Sequence, residues 1–161
     1  MRAKTLIDEI APLLGTDLAL DYALAGGFFE DADLSSGQRA QRSTAARDLK
    51  IASSVDNLTQ AIANRLKTRR GELAALGHPD YGSRHHELIG EPNVDRTRNL
   101  IKLYVLQALA REPRIEKVLS AVVRPEHVPP RDTVRIELQV KVIREAVPLN
   151  LVIPFSFGVA L

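Results

Sequence analysis

The sequence predicts an α+β fold in which two or three helices pack on a small antiparallel sheet that ends in an edge hairpin. Two observations predict the sheet, because apolar and polar residues alternate from Val134 to Val142 and again from Leu149 to Phe157. Such alternation is typical of strands with one buried and one solvated face. The third observation is an apolar stripe at helical spacing between Val94 and Ala110, which predicts a core helix.

The predicted core helix carries apolar residues over a wide arc. Five of them recur at three- and four-residue spacing, and three leucines broaden the stripe, so we expect burial on more than one side. Asn93 or Asp95 is expected to cap its N-terminus. The apolar residues are Ile101, Tyr104, Val105, Ala108 and Leu109, with Leu100, Leu103 and Leu106 beside them.

The tripeptide Glu112-Pro113-Arg114 follows this helix and predicts a rigid bend. Proline is not accommodated inside a helix and favours an extended conformation for the residue before it. The chain is therefore expected to change from helix to strand here. Glu112 and Arg114 flank the bend, and two roles stay open for them: contacts to a partner protein, or an intramolecular pair that fixes the bend.

The C-terminal strands are expected to form a meander with Ile115 to Val123. Pro154 lacks an N–H group, so the last strand is placed at the sheet edge with that position facing away from the ladder. A partner strand could extend this edge by β-augmentation, or the N-terminal segment of the chain could cover it. The residues of this strand that we expect to take part in partner binding are Leu149, Leu151, Ile153, Phe155 and Phe157.

Residues 1–47 read as an N-terminal extension, and residues 48–161 as the main domain. Leu6 to Leu14 could form a short amphipathic helix and Ala19 to Leu24 another helical piece, while the polar tract from Ser35 to Thr44 predicts a flexible linker. The N-terminal helix could dock on a partner or pack on its own domain.

A second helix is predicted after Asn57, which could form a capping box with Gln60. We expect it to end near Gly71, with Lys67, Arg69 and Arg70 at its negative end. The segment from His78 to Gly82 predicts a turn, and Ser83 could cap a short helix that reaches Gly90.

Composition excludes several functional classes. The 161 residues contain no cysteine, which argues against disulfides and thiolate catalysis. The 4% of aromatic residues and the net charge of +2 argue against nucleic-acid binding, although the sequence pI of about 9.1 leaves a local basic patch open. No apolar run reaches membrane-spanning length and no secretory signal is evident, so folding in the cytoplasm is expected.

Cofactor and catalytic motifs are likewise not found. The sequence contains no phosphate-binding loop, dinucleotide fingerprint or nucleophile elbow, so no cofactor is predicted. His85 and His86 are expected to point apart on a helix, which does not suit a shared metal ion. Carboxylates at turns and helix ends show no spacing that singles out a catalytic pair; they are Glu72, Asp80, Glu87 and Glu91.

Several segments together resemble a known family. Asp48-Leu49, NLTQAIANRLKTRRGEL (57–73), HPDYGS (78–83) and a long helix ending in EPRI (112–115) precede a terminal pair of strands. This order resembles the small baseplate wedge proteins of contractile phage tails, also described as sheath initiators. Relatives occur in phage-like extracellular injection particles and in type VI secretion baseplates. The resemblance spans Asp48 to Gly158, and it departs from many phage members at Arg69, where they have proline.

The resemblance implies a structural protein rather than an enzyme, present in six copies around the hub of a baseplate. It implies contacts between Glu112, Pro113 and Arg114 and a bundle of neighbouring wedge proteins, and assembly of the first sheath ring on the C-terminal strands by strand addition. Hub or spike proteins are further implied partners, with no nucleic acid and no membrane insertion. The particle would assemble in the cytoplasm and could be released from the cell.

Two alternatives remain at this stage. The family has also been labelled lysozyme-like, which keeps a glycoside hydrolase of peptidoglycan open. A DNA-binding adaptor could use the basic residues Arg65, Lys67, Arg69 and Arg70.

Overall fold

The computed structural model describes residues 13–25, 28–38, 47–127 and 132–158. These residues form two helices and nine strands, which confirms the predicted α+β class. The chain divides into two compact units, residues 1–60 and 61–161. No helix in the described ranges is long and apolar enough to cross a membrane.

The first unit contains six short strands joined in three antiparallel pairs. These strands are β1 (Thr16–Leu18), β2 (Leu20–Ala25), β3 (Phe28–Leu34), β4 (Ser36–Gln38), β5 (Arg47–Leu49) and β6 (Ile51–Ser53). β1 pairs with β6, β2 with β3, and β4 with β5. Ala19, Ser35 and Lys50 lie between successive pairs and exchange three backbone hydrogen bonds of 2.8–2.9 Å, so the three ladders meet at one junction.

This unit differs from the prediction for the N-terminal residues. Ala19 to Leu24 was predicted to be helical, which is wrong because β2 occupies it. Ser36–Gln38 of the predicted linker forms a strand, while residues 39–46 lie outside the described residues. Most of the predicted amphipathic helix, from Leu6 to residue 12, also lies outside them. The boundary predicted at residues 47 and 48 falls within β5 and stays a prediction.

Helix α1 (Ser54–Lys67) begins four residues before Leu58, the first residue after the predicted cap Asn57. Asn57 does not cap it, because its side-chain amide donates to the Leu14 carbonyl at 2.9 Å. Gln60 donates to the Leu18 carbonyl and accepts from the Leu20 N–H, both at 2.8 Å. The two polar side chains therefore join the first turns of α1 to the strands before it, which replaces the predicted capping box.

The second unit contains helix α2 (Asp95–Leu109) and a three-stranded antiparallel sheet of β7 (Ile115–Pro125), β8 (Thr133–Val142) and β9 (Leu149–Ser156). The strand order β7-β8-β9 confirms the predicted meander and its C-terminal hairpin. Val94 occupies the N-cap of α2 with no side-chain hydrogen bond, so the predicted cap at Asn93 or Asp95 is wrong.

The core of this unit lies between α2, the end of α1 and the inner face of the sheet. Helix α2 buries one face rather than several, because Leu103 on its other side is 47% exposed. The central strand β8 supplies the alternating apolar residues predicted for it, and all of them are buried. The buried apolar side chains are Ile62, Leu66, Leu88, Ile101, Val105, Ala108, Leu109, Ala121, Val134, Ile136, Leu138, Val140, Val142, Leu151, Ile153, Phe155 and Phe157.

Candidate functional site: the bend after the long helix and the outer sheet edge

The turn from His78 to Gly82 is held against the segment that follows α1. The Ser83 N–H donates to the Thr68 carbonyl at 2.9 Å, and the Arg70 N–H donates to the Ser83 carbonyl at 3.1 Å. Gly82 has a φ of +98°, and a Cβ atom there would lie 2.6 Å from the Thr68 oxygen. Glycine is therefore required at this position, both for its backbone conformation and for the close approach of the two segments.

The bend forms where Pro113 predicts it. Helix α2 ends at Leu109, the Glu112 N–H donates to the Leu109 carbonyl, and the Ile115 N–H donates to the Glu112 carbonyl, both at 3.0 Å. The Arg114 carbonyl accepts from the Ile143 N–H at the end of β8. These backbone bonds fix the direction in which the chain leaves the helix and enters β7.

Glu112 is the centre of a buried ion-pair network. Its side chain is only 4% exposed; Oε1 lies 2.5 Å from Arg114 Nε, and Oε2 lies 3.4 Å from Arg65 Nη2. The guanidinium of Arg65 also lies over the Tyr81 ring, 4.6 Å from its centroid, in cation–π geometry. The intramolecular pair left open by the sequence is thus present within this chain.

The electrostatics of this network favour the charged carboxylate. Burial alone would raise the pKa of Glu112, but the hydrogen bond and positive charge of Arg114, with the charge of Arg65, lower its pKa overall. Burial raises the pKa of Tyr81. Glu112 is therefore an anion that two arginines hold in place, and it is not available as a proton donor at neutral pH.

The predicted partner-binding residues of β9 mostly face inward. Leu151, Ile153, Phe155 and Phe157 are buried and Leu149 is half-buried, so these side chains belong to the domain's own core. Partner binding by these residues stays a prediction, and it would use the backbone of β9 rather than these buried side chains. Side chains of the alternate residues face outward, and Val152 among them is 56% exposed.

The backbone of β9 divides in the same alternating way. The Phe157 N–H donates to the Asp132 carbonyl, and β9 pairs with β8 without a register shift. In an antiparallel ladder, backbone groups of successive residues point to opposite sides. Odd-numbered residues of β9 therefore face β8, and Asn150, Val152 and Pro154 direct their backbone groups to the outer edge. Pro154 occupies the position predicted for it.

Sequence reasoning did not identify several residues around the bend. Arg70 was read as part of a helix-terminating basic cluster, Arg65 as a candidate residue for DNA binding, and Asp80 and Tyr81 as turn residues. The structure brings Arg65 and Tyr81 to Glu112, and Asp80 Oδ1 to within 2.6 Å of Arg70 Nη2 and 3.0 Å of Arg111 Nη1. The sequence does carry one signal for these contacts, because several arginines lie before and after the turn that contains Asp80.

His85 and His86 do not point apart as predicted. They lie on a short 3-10 helix (His85–Leu88), and their rings stack with centroids 4.2 Å apart. The His85 Nδ1 lies 2.8 Å from the Ser83 hydroxyl, so Ser83 is a partner of His85 rather than a helix cap, and His86 Nε2 lies 2.7 Å from the Leu66 carbonyl. Burial lowers the pKa of His85 to about 3. The described residues contain no group of three or more potential ligands placed to hold a metal ion.

The carboxylates do not resemble those of a glycosidase. Such an enzyme needs one carboxyl group with a raised pKa to protonate the leaving group. Hydrogen bonds from Arg70 and Arg111 lower the pKa of Asp80, and a hydrogen bond from Arg84 lowers that of Glu87. Together with Glu112, these carboxylates are shifted in the direction opposite to the one that acid catalysis requires.

Comparison with known proteins shows that this α+β protein is a structural component of a baseplate. A family model described as baseplate wedge protein gp25 matches residues 52–147. The chain belongs to this family, and it is accordingly a baseplate component of a phage tail or contractile injection system that associates with other baseplate components. No curated protein matches the chain.

Two solved structures are similar to this chain. One, from Geobacter sulfurreducens, carries the provisional name tail lysozyme; it is 29% identical with a TM-score of 0.54, over 62% of this chain and 87% of that one. The other is a chain of the baseplate complex from the type VI secretion system, 23% identical with a TM-score of 0.48, over 62% of this chain and 89% of that one.

Proposed function

We propose that this chain initiates the sheath of the particle by accepting a strand of a sheath subunit at the outer edge of β9. The observation that carries this proposal is the position of β9 in the sheet. It pairs with β8 along its whole length, and no strand in the described part of the chain pairs with its other side. An unpaired edge strand is a template for strand addition.

The outer edge of β9 offers a defined hydrogen-bonding pattern. Asn150 and Val152 each direct an N–H and a carbonyl outward, whereas Pro154 directs only a carbonyl. An added strand would therefore lack one bond opposite Pro154, and this gap would favour one register over its neighbours. The exposed side chain of Val152 lies beside the incoming strand and would contribute apolar contact.

The opposite edge of the sheet is less suitable. β7 pairs with β8 with two register irregularities, one between Ile115 and Lys117 and another between Val118 and Ser120. Such bulges increase local twist and disrupt continuous pairing on an edge. β9 contains none, which favours it as the strand that a sheath subunit extends.

The bend would contact a neighbouring wedge protein through Pro113 and Arg114. Pro113 is exposed, and the side chain of Arg114 is 22% exposed at the protein surface. Glu112 is buried, so its role in this contact is indirect: it holds the guanidinium of Arg114 in one orientation. The proposed assembly contains six copies around a hub, formed in the cytoplasm, with hub or spike proteins as further neighbours.

A proline substitution tests strand addition. Val152→Pro removes an outward N–H without removing a bond to β8, whereas the matched control Val152→Thr keeps that N–H. Particles purified from cells that produce each variant are examined by electron microscopy. We expect baseplates without sheath for Val152→Pro and sheathed particles for Val152→Thr. Normal sheaths on the proline variant would contradict strand addition at this edge.

A peptidoglycan hydrolase is the second candidate, because one similar structure carries the name tail lysozyme. The lowered pKa values of Asp80, Glu87 and Glu112 argue against it. The purified chain is expected to leave the turbidity of a peptidoglycan suspension unchanged. Clearing that is lost on substitution of one of these carboxylates would reverse this assignment.

A further inference from the structure

A basic cleft lies between the segment that follows α1 and the C-terminal half of α2. Its volume is about 400 Å³, and Arg70, Arg84 and Arg111 line it together with Tyr104 and Asp80. Small residues, among them Gly82 and Ala108, form much of its remaining wall. The cleft therefore presents three guanidinium groups around a space that a short side chain could enter.

Asp80 occupies the position where two of these arginines converge. Its Oδ1 accepts from Arg70 Nη2 at 2.6 Å and from Arg111 Nη1 at 3.0 Å. The arginines come from different segments, one following α1 and one following α2. Asp80 is 61% exposed and the two arginines are 37% and 44% exposed. Ion pairs this exposed to solvent are weak and exchange readily.

We propose that this cleft docks an acidic segment of a neighbouring baseplate protein, whose carboxylate replaces that of Asp80 between Arg70 and Arg111. Asp80 occupies the site in the free chain and competes with the partner. The identity of the partner as a baseplate protein rests on the proposed function, whereas the preference for a carboxylate rests on the cleft alone.

The geometry favours a carboxylate over nucleic acid. Two arginine nitrogens lie within 3.0 Å of one oxygen, which is the arrangement that carboxylate recognition uses. The guanidinium of Arg84 lies over the Tyr104 ring, 4.7 Å from its centroid, and so occupies one face on which a base could stack. Glu87 pairs with Arg84 at 2.9 Å and adds a negative charge beside the cleft, which disfavours a phosphate backbone.

The first experiment measures binding of fluorescein-labelled hexaglutamate to the purified full chain by anisotropy. Asp80→Asn removes the competing carboxylate, and we expect binding to strengthen about fivefold, because the partner carboxylate no longer has to displace that of Asp80. Its matched control is Glu137→Gln, which releases Arg124 from an exposed pair on the sheet and makes the same charge change. Equal strengthening by both substitutions would overturn the proposal, because charge alone would then explain it.

The second experiment removes one arginine. Arg111→Gln is expected to weaken hexaglutamate binding at least several-fold, and Arg124→Gln, an exposed ion-paired arginine outside the cleft, much less. The same titrations use a labelled 12-base-pair DNA duplex. Tighter binding to the duplex than to hexaglutamate, weakened by Arg111→Gln, would assign the cleft to nucleic acid and overturn the proposal.

Particle assembly separates this proposal from the proposed strand addition. We expect Arg111→Gln to reduce incorporation of the chain into baseplates, whereas Val152→Pro allows incorporation but prevents sheath growth. Normal incorporation of Arg111→Gln would contradict docking in the cleft and leave strand addition unaffected. Normal sheaths on Val152→Pro would contradict strand addition and leave the cleft unaffected.

Discussion

The bend after α2 and the outer edge of β9 differ in how they use their polar groups. At the bend, the carboxylate of Glu112 is buried and contacts two arginines of the same domain. At the β9 edge, the apolar side chains are buried, while backbone groups of Asn150 and Val152 face outward with no strand of the described residues beside them. At the bend, side chains of the same domain neutralise the buried charge. At the β9 edge, backbone N–H and carbonyl groups are available to pair with an added strand.

This difference shows where assembly contacts can form without loss of the fold. A partner that bound Glu112 directly would have to remove it from Arg65 and Arg114, and breaking a buried pair is costly. A partner strand that bound β9 would add hydrogen bonds and break none. The edge can therefore change its partners freely, whereas the bend contributes a fixed surface whose exposed parts are Pro113 and Arg114.

Removal of the Glu112 charge has the largest expected effect on stability. Glu112→Gln removes the buried carboxylate that contacts Arg65 and Arg114, and we expect the free energy of unfolding to fall by about 3 kcal/mol. Chemical denaturation followed by circular dichroism measures this change. Glu116→Gln, which removes an exposed pair with Lys141, is the control and should change stability by less than about 0.5 kcal/mol. Similar losses for both variants would show that the bend network is not special.

Proline substitutions in neighbouring strands compare the edge with the sheet interior. Glu137 and Val152 are cross-strand partners, but the N–H of Glu137 faces β7 whereas that of Val152 faces the outer edge. Glu137→Pro should cost about 2 kcal/mol or more through a lost ladder bond and an unpaired carbonyl, and Val152→Pro considerably less. Glu137→Pro also removes the ion pair with Arg124, and Glu137→Gln measures the contribution of that pair alone. Equal costs for the two prolines would mean that the outer edge is not open.

Acid is expected to weaken the packing of the 3-10 helix against β9. His85 stacks on His86 and contacts the Phe155 ring edge-on at 4.7 Å, and burial lowers its pKa to about 3. The unfolded chain binds a proton near pH 6.5 whereas the folded chain does not, so stability is lost as the pH falls below 6.5. We expect a loss of about 1.4 kcal/mol between pH 7.5 and 5.5 from this group.

The source of this pH dependence can be identified with His85→Gln. Denaturation at a series of pH values should give a shallower slope for this variant between pH 7 and 5. Below about pH 4.5, protonation of Glu112, whose pKa is also lowered, acts in the same direction. An unchanged slope in His85→Gln would assign the effect to other groups.

The smallest expected effect is that of Asp80→Asn on stability. Its carboxylate is exposed, so its removal should lower the denaturation midpoint only slightly. The same substitution is expected to strengthen binding of an acidic peptide. A clear loss of stability would show that Asp80 fixes the turn instead of competing with a partner.

Much of the second unit could be predicted because its signals are local. Alternation over ten residues in β8 and helical periodicity in α2 each identify an element, and Pro113 identifies the bend between them. Pro154 identifies β9 as the outer strand, because a missing N–H is tolerated only where no ladder bond is needed. Each of these predictions depends only on residues that are close in the sequence, and the structure confirms each of them.

The remainder could not be predicted because it depends on contacts between distant residues. Asn57 and Gln60 form a capping-box pattern, yet their side chains bind the Leu14 and Leu18 carbonyls, some 40 residues earlier in the chain. The pairing of Arg65 with Glu112 likewise joins two segments 47 residues apart. The strands of the first unit are short, and the three hydrogen bonds among Ala19, Ser35 and Lys50 join backbone atoms, which leave no pattern in the sequence.

The two register irregularities of β7 have a consequence for the particle as a whole. The irregular β7 border and the regular β9 border favour extension of the sheet from the β9 side. If each copy in the proposed ring accepts a sheath strand at β9, every added strand would lie on the same side of its sheet, and the first layer of sheath would then set the polarity of the tube.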